Sequence, residues 1–160
     1  MYQLNNDPDV VRYTGDGPFV SEVAAREFFR ERLKYYEQVG MGRWLVELRA
    51  TGEILGWCGL KLLDADDPQG GSVDLGYRLF QRHWGRGYAT EASCACLDYG
   101  FGPLALPRIL IRVDPANTAS LNVAGKLGAR LLPDLEACGG LRVRVFELTA
   151  ADWLNRAAGT

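Results

Sequence analysis

Residues Ser72–Thr90 read SVDLGYRLFQRHWGRGYAT and run on into the small-residue stretch Glu91–Tyr99. Val73, Leu75, Tyr77 and Leu79 alternate with Asp74, Gly76, Arg78 and Phe80, the period of a strand with a mostly apolar face opposed to a polar one. Gly85 and Gly87 follow and permit a tight loop ahead of a helix. That order leaves consecutive backbone N–H groups unpaired at the positive end of the helix dipole, where an anion binds. The plain alternative is a tight turn that holds nothing.

Working outward, Gly102-Pro103 breaks the chain after the helix, and Arg108 to Asp114 alternates Ile109, Ile111 and Val113 on one face. Strand, helix and strand in succession imply a parallel pair joined by a crossover. Asn117 to Leu127 reads as a short helix closed by Gly128. Two final strands, about Ala129 to Ala137 and Leu141 to Leu148, flank a Gly139-Gly140 turn. Thr149, with Asp152 three positions on, caps a last helix that carries Trp153.

Upstream, Arg43 to Ala50 and Ile54 to Leu63 form a hairpin about Thr51-Gly52-Glu53, the second run being apolar on both faces and therefore central. Asp64 to Gly71 is a polar loop with an acidic cluster. Ser21 caps a helix through about Val39, with Ala25, Phe29, Leu33 and Tyr36 on its core face. Leu4 to Tyr13 looks like the end of a helix leading into a loop.

At 160 residues and 48% hydrophobic content, the chain suits one domain with a sizeable core. Eighteen basic and twenty acidic residues leave a net charge of -2, so no global basic field draws it to nucleic acid or an anionic membrane. No apolar run approaches membrane-spanning length and the start lacks a signal peptide's pattern, which points to a cytoplasmic protein. Cys58, Cys94, Cys96 and Cys138 sit among apolar or small residues, as buried reduced thiols do. With His83 as the lone imidazole and no spaced cysteine pair, no metal is expected.

Two nucleotide signatures are imitated here. Gly85-x-Gly87 begins a dinucleotide fingerprint, with Asp114 ending the next strand, but Thr90 stands in place of the third glycine. Gly125-Lys126 lacks the rest of a Walker loop. A third pattern accounts for more residues. Arg82-His83-Trp84-Gly85-Arg86-Gly87 matches R-x-x-G-x-G, and it stands with LGYRL before it, HWGRGYATEA across it, and Asn117-x-x-Ser120 and Lys126-Leu127-Gly128 after it. In this combination the chain resembles the GNAT superfamily of acyl-CoA N-acyltransferases, in its ribosomal-protein N-terminal acetyltransferase-like branch.

The resemblance covers nearly the whole chain and implies one α/β domain over residues 1–160 with the GNAT fold. That fold is a mixed, mostly antiparallel sheet with a splayed central parallel strand pair and flanking helices. It implies acetyl-CoA as cosubstrate and a primary amine as acceptor, either a protein N-terminus or a small molecule. Leu79 and Phe80 would meet pantetheine through their main chain, and Asn117 would approach it from the other side of the slot. Arg82, Gly85, Arg86, Gly87, Tyr88, Ala89 and Thr90 would form the pyrophosphate site.

Asp74 takes the place of a strand carboxylate that accepts the amine proton, with an ordinary Asp–Arg pair as the competing reading. Ser120 takes the place of a donor to the departing sulfur, with an ordinary helix serine as the competing reading. A tyrosine acid common in relatives is Ala124 here. The family's first strand is expected to be missing, because the chain opens in what resembles the last turns of the first helix. An open sheet edge, lowered stability or pairing as a homodimer would follow. Tyr13, Phe19, Trp57 and the loop Thr14 to Val20 are expected on the acceptor side. A CoA-binding module without catalysis and a nicotinamide-dependent oxidoreductase are the rival readings.

Overall fold

The computed structural model describes residues 1–15, 18–64, 71–138 and 141–158. Two short helices open it, α1 (Tyr2–Asn6) and α2 (Pro8–Val11), followed by the long α3 (Glu22–Val39). The strands are β1 (Arg43–Leu48), β2 (Glu53–Leu62), β3 (Val73–Leu79), β4 (Arg108–Val113), β5 (Arg130–Cys138) and β6 (Leu141–Thr149). Helices α4 (Tyr88–Phe101), α5 (Thr118–Lys126) and α6 (Ala150–Ala158) complete the chain. The sheet order is β1-β2-β3-β4-β6-β5, antiparallel throughout except between β3 and β4. That is the mixed sheet with a central parallel pair that the resemblance implies.

The parallel pair touches at one register point, Asp74 opposite Leu110, whereas β2 and β3 pair along seven positions. Beyond that point β3 and β4 separate, and a slot opens between them. Local chemistry sets the ends of the elements around it. Ser21 Oγ accepts from Ala24 N–H at 3.1 Å to start α3, and Gly40, at φ +70°, ends it. Asn117 Oδ1 accepts from Ser120 N–H at 3.1 Å to start α5.

One face of the sheet carries the main core, in which Leu60, Leu75, Leu97, Ile109, Leu127 and Leu148 are buried. Helix α4 packs there over β2 and β3. The other face bears a small apolar group, Leu63, Leu110, Val143 and Val145, beside Asp74 and Arg78. The polar side of β3 is thus not solvated, as alternation alone suggests. Asp74 and Arg78 are both buried, because each finds a partner on a neighbouring element.

That charged face also changes the role of α3. Of its expected core stripe only Ala25 is buried, while Leu33 is exposed and Phe29 and Tyr36 are half-buried. Arginines and a carboxylate lie where aliphatic side chains would have let the helix close down, so Phe29, Leu33 and Tyr36 wall a cavity instead. The N-terminal helix is likewise broken, at Asp7, whose side chain accepts from Asp9 N–H at the start of α2. Cys58, Cys94 and Cys96 are free thiols. The Gly139-Gly140 turn, the acidic loop 65–70 and the Cys138 side chain lie outside the described residues. No helix among the described residues is long and apolar enough to cross a membrane.

Candidate active site

A cavity of about 820 Å³ occupies the slot and the space beneath α3. Asp74, Asn117 and Ser120 all line it, as do Tyr13, Phe19 and Trp57 on the side expected for an acceptor. The loop bearing Phe19 is tied to α1 in both directions. Phe19 N–H donates to Asn6 Oδ1 at 2.9 Å and Asn6 Nδ2 donates to Phe19 O at 3.2 Å. Phe19 also meets Phe29 edge-on and Phe28 at a tilt, which fixes an aromatic wall.

The glycine loop lies at the far end of β3. Gly85 and Gly87 have φ of +72° and +85°, and a Cβ on either would meet nothing within 4 Å. Gly87 therefore serves backbone conformation and leaves an open face. It is the N-cap of α4, no side chain caps that helix, and the first helical bond runs from Glu91 N–H to Gly87 O at 3.0 Å. The N–H groups of Tyr88, Ala89 and Thr90 thus precede the ladder at the positive helix end. Arg82 and Arg86 are exposed on the approach to it. Arg82 meets Glu53 at 3.3 Å and lies over the Phe80 ring.

Main-chain polarity along β3 follows from one bond. Phe80 N–H donates to Leu55 O on the β2 side at 2.9 Å, and Phe80 O accepts from His83 N–H at 2.9 Å. Successive residues of a strand turn their polar groups to opposite edges, so those of Tyr77 and Leu79 point toward β4 and the slot. Leu79 O is taken by Trp84 Nε1 at 2.8 Å, a bond that folds the loop back onto the strand end. The main-chain groups of Phe80 are thus occupied within the protein, and Tyr77, which the alternation did not single out, shares the slot edge with Leu79.

Asp74 is the centre of a buried ion cluster. Arg43 NH2 donates to its Oδ2 at 2.9 Å and Arg112 Nε to its Oδ1 at 3.4 Å. Side-chain exposure is 10% for Asp74, 19% for Arg43 and 13% for Arg112. Arg43 reaches Asp74 from β1 by crossing Gly59 and Gly76, where it donates to both carbonyl oxygens. A Cβ at Gly76 would lie 2.8 Å from Arg43 NH1, so the glycine in LGYRL clears a path for a guanidinium. Trp57 lies between Arg43 and Arg78, 5.2 and 5.3 Å from its ring centroid, and Arg78 donates to Asn5 Oδ1 of α1.

On the opposite side of the slot, Tyr77 OH donates to Ser120 Oγ at 3.0 Å. Burial pushes the Tyr77 phenol above its ordinary range, while the bond with Ser120 pulls the other way. Asn117 spends its carbonyl oxygen on the Ser120 N–H, so it holds Ser120 in place as well as lining the cavity. Ala124 is fully buried in the core and brings no proton donor to the slot. Among the described residues no group of three or more His, Cys, Asp or Glu side chains converges as a metal site would require.

A family profile described as an acetyltransferase (GNAT) domain matches residues 1–130. The chain is 37% identical over 125 residues to the uncharacterised protein YkkB of Bacillus subtilis, covering 78% of this chain and 70% of that one. It is 32% identical over 149 residues to an uncharacterised N-acetyltransferase, p20, of Bacillus licheniformis, covering 91% and 82%. A spermidine N-acetyltransferase from Vibrio cholerae, solved with CoA and spermine, superposes with a TM-score of 0.75 at 20% identity, covering 96% of this chain and 90% of that one. That last likeness is one of fold.

Proposed function

The chain belongs to the GNAT acetyltransferase family and is an N-acetyltransferase, and on that premise we propose that it moves an acetyl group from acetyl-CoA to a primary amine by direct attack on the thioester. The observation that carries the reading is the slot between β3 and β4, with an uncapped helix end beyond it and a hydroxyl pair and a carboxylate inside it. In this reading the pyrophosphate accepts from the N–H groups of Tyr88, Ala89 and Thr90, with Arg82 and Arg86 adding positive charge. Gly85 and Gly87 keep the approach clear. Pantetheine pairs with the Leu79 N–H and the slot-facing main chain of Tyr77, which takes over the part first assigned to Phe80, and Asn117 flanks it.

The amine enters from the aromatic side, past Tyr13, Phe19 and Trp57. Its nitrogen attacks the carbonyl carbon, the C–N bond forms, and the C–S pair returns to sulfur. Asp74 accepts the amine proton, directly or through water, by exchanging one guanidinium contact for it. Ser120 donates to the departing sulfur. A small amine is the simplest acceptor for a cavity of this size, and the spermine-bound neighbour supports that class; a peptide N-terminus is the other member of the panel.

The test is a melting-point titration with acetyl-CoA, CoA and NAD, then thiol release with spermidine, tyramine and a Ser-Ala-Ala peptide. A saturable rise with acetyl-CoA, and thiol released with at least one amine, is the expected result. A rise without thiol release for any amine would make the protein a binding module. A rise with NAD alone would make it an oxidoreductase.

A further inference from the structure

We infer that Tyr77 is a positioning residue for the leaving group: its phenol fills an acceptor position on Ser120 Oγ and so turns the Ser120 hydroxyl hydrogen toward the departing sulfur. The inference rests on the transferase reading above and adds to it a residue that neither the glycine motif nor the resemblance singles out.

A serine hydroxyl has one hydrogen and two acceptor positions. Left alone in the first turns of a helix, it commonly turns that hydrogen back onto a carbonyl three or four residues earlier. Here Tyr77 OH, 3.0 Å from Ser120 Oγ, reaches across from β3 to α5 and donates. Ser120 is held from below as well, by Asn117 Oδ1 on its own N–H. Both side chains line the cavity where β3 and β4 have separated, so the remaining direction that reaches a ligand is into the slot.

Burial keeps the phenol protonated, which is what a permanent donor needs. Two linked hydroxyls also polarise one another, so the outer O–H becomes a better donor than an isolated serine. At the α5 position where relatives in the resembling superfamily often carry a tyrosine acid, this chain has Ala124 in the core, and the phenol comes instead from the facing strand. In the step itself the C–S bond breaks and its electron pair goes to sulfur. The thiolate leaves while hydrogen-bonded to Ser120 Oγ–H and takes its proton from solvent after release; Ser120 and Tyr77 keep theirs.

The experiment measures kcat and KM for acetyl-CoA by thiol release, using whichever of spermidine, tyramine and Ser-Ala-Ala turns over fastest. Wild type, Tyr77→Phe, Ser120→Ala, Ser120→Thr and the double variants Tyr77→Phe/Ser120→Ala and Tyr77→Phe/Ser120→Thr are compared. Loss of one hydrogen bond felt in the transition state lowers kcat about tenfold in Tyr77→Phe, with KM for acetyl-CoA unchanged. In the Ser120→Ala background the same change has no further effect. Ser120→Thr, which keeps a hydroxyl, retains the dependence on Tyr77.

Because Tyr77 keeps its proton, the ratio of wild type to Tyr77→Phe stays flat from about pH 6 to 9. Independent, multiplicative losses from the two positions would overturn the inference and leave the transferase standing. So would a ratio that titrates within that range, which would make Tyr77 the acid itself. Wild-type protein that releases no thiol with any of the three amines would remove the transferase reading and the inference together.

Discussion

Replacing Asp74 with asparagine separates what this carboxylate holds together from what it does to a substrate. The side chain is nearly buried between Arg43 and Arg112, and both of its oxygens accept from a guanidinium. Removing one partner of a buried ion pair costs about 3–5 kcal/mol, because the remaining charges stay desolvated. Asparagine keeps the shape and one acceptor oxygen, so the lower end, about 3 kcal/mol, applies. For a chain of this length each kcal/mol lowers Tm by about 2–4 °C, giving an expected fall of about 6–12 °C without ligand.

Turnover is then measured on the folded protein well below that transition. A carboxylate that takes the amine proton contributes about 10²-fold or more, and its loss removes the acidic limb of the kcat/KM profile. Arg43→Gln is the control, since it weakens the same cluster from the other side and leaves the carboxylate in place. It is expected to lower Tm comparably and to keep the acidic limb. A fall in Tm of less than about 2 °C for Asp74→Asn would refute the packing argument, because so small a shift corresponds to an exposed pair. An acidic limb unchanged in Asp74→Asn would refute the proton-acceptor role whatever the stability does.

Gly87→Ala isolates the helix end: with φ at +85° and empty space around the new Cβ, its cost is backbone strain of about 1–2 kcal/mol, or about 2–8 °C in Tm. The rise in Tm on adding acetyl-CoA is expected to weaken at the same time, and an unaltered rise would refute the pyrophosphate assignment. The Tyr77 phenol, raised above its ordinary 10.0, gives a pH signature of opposite sign to a carboxylate. Its protonated form is favoured by folding, so the contribution is complete below pH 10 and is lost as pH climbs through the raised value. Tyr77→Phe is therefore expected to show a shallower decline of Tm above that pH than wild type, and equal slopes would refute it.

Periodicity and punctuation carried most of the architecture. Alternation in residues 73–79 and 108–113 located β3 and β4, Ser21 marked the start of α3 and its apolar period ran to Val39, and Asn117 and Gly128 bracketed α5. These are short-range matters, decided by how a residue and its near neighbours satisfy backbone groups. The glycine loop at the start of α4 was legible for the same reason, since the loop and the helix after it are contiguous in the chain.

The other half of the site was not legible, because its partners lie far apart along the sequence. Nothing near Asp74 announces Arg43, thirty-one positions earlier, or Arg112, thirty-eight later. Nor does either residue of the Tyr77–Ser120 pair, forty-three apart, mark the other. Alternation assigned Tyr77 to an apolar face, correctly, but could not say that the face ends at a slot. The stripe on α3 misled for a related reason: a hydrophobic period shows which side of a helix avoids water, not whether core or cavity receives it.

The order of elements and the family were thus written in local backbone chemistry and contiguous motifs. Which charges are buried, which main-chain groups face the slot and which hydroxyls meet there were settled by tertiary packing alone. Those depend on the separation of β3 from β4 past Asp74 and Leu110, a property of strands packed together that no single segment encodes.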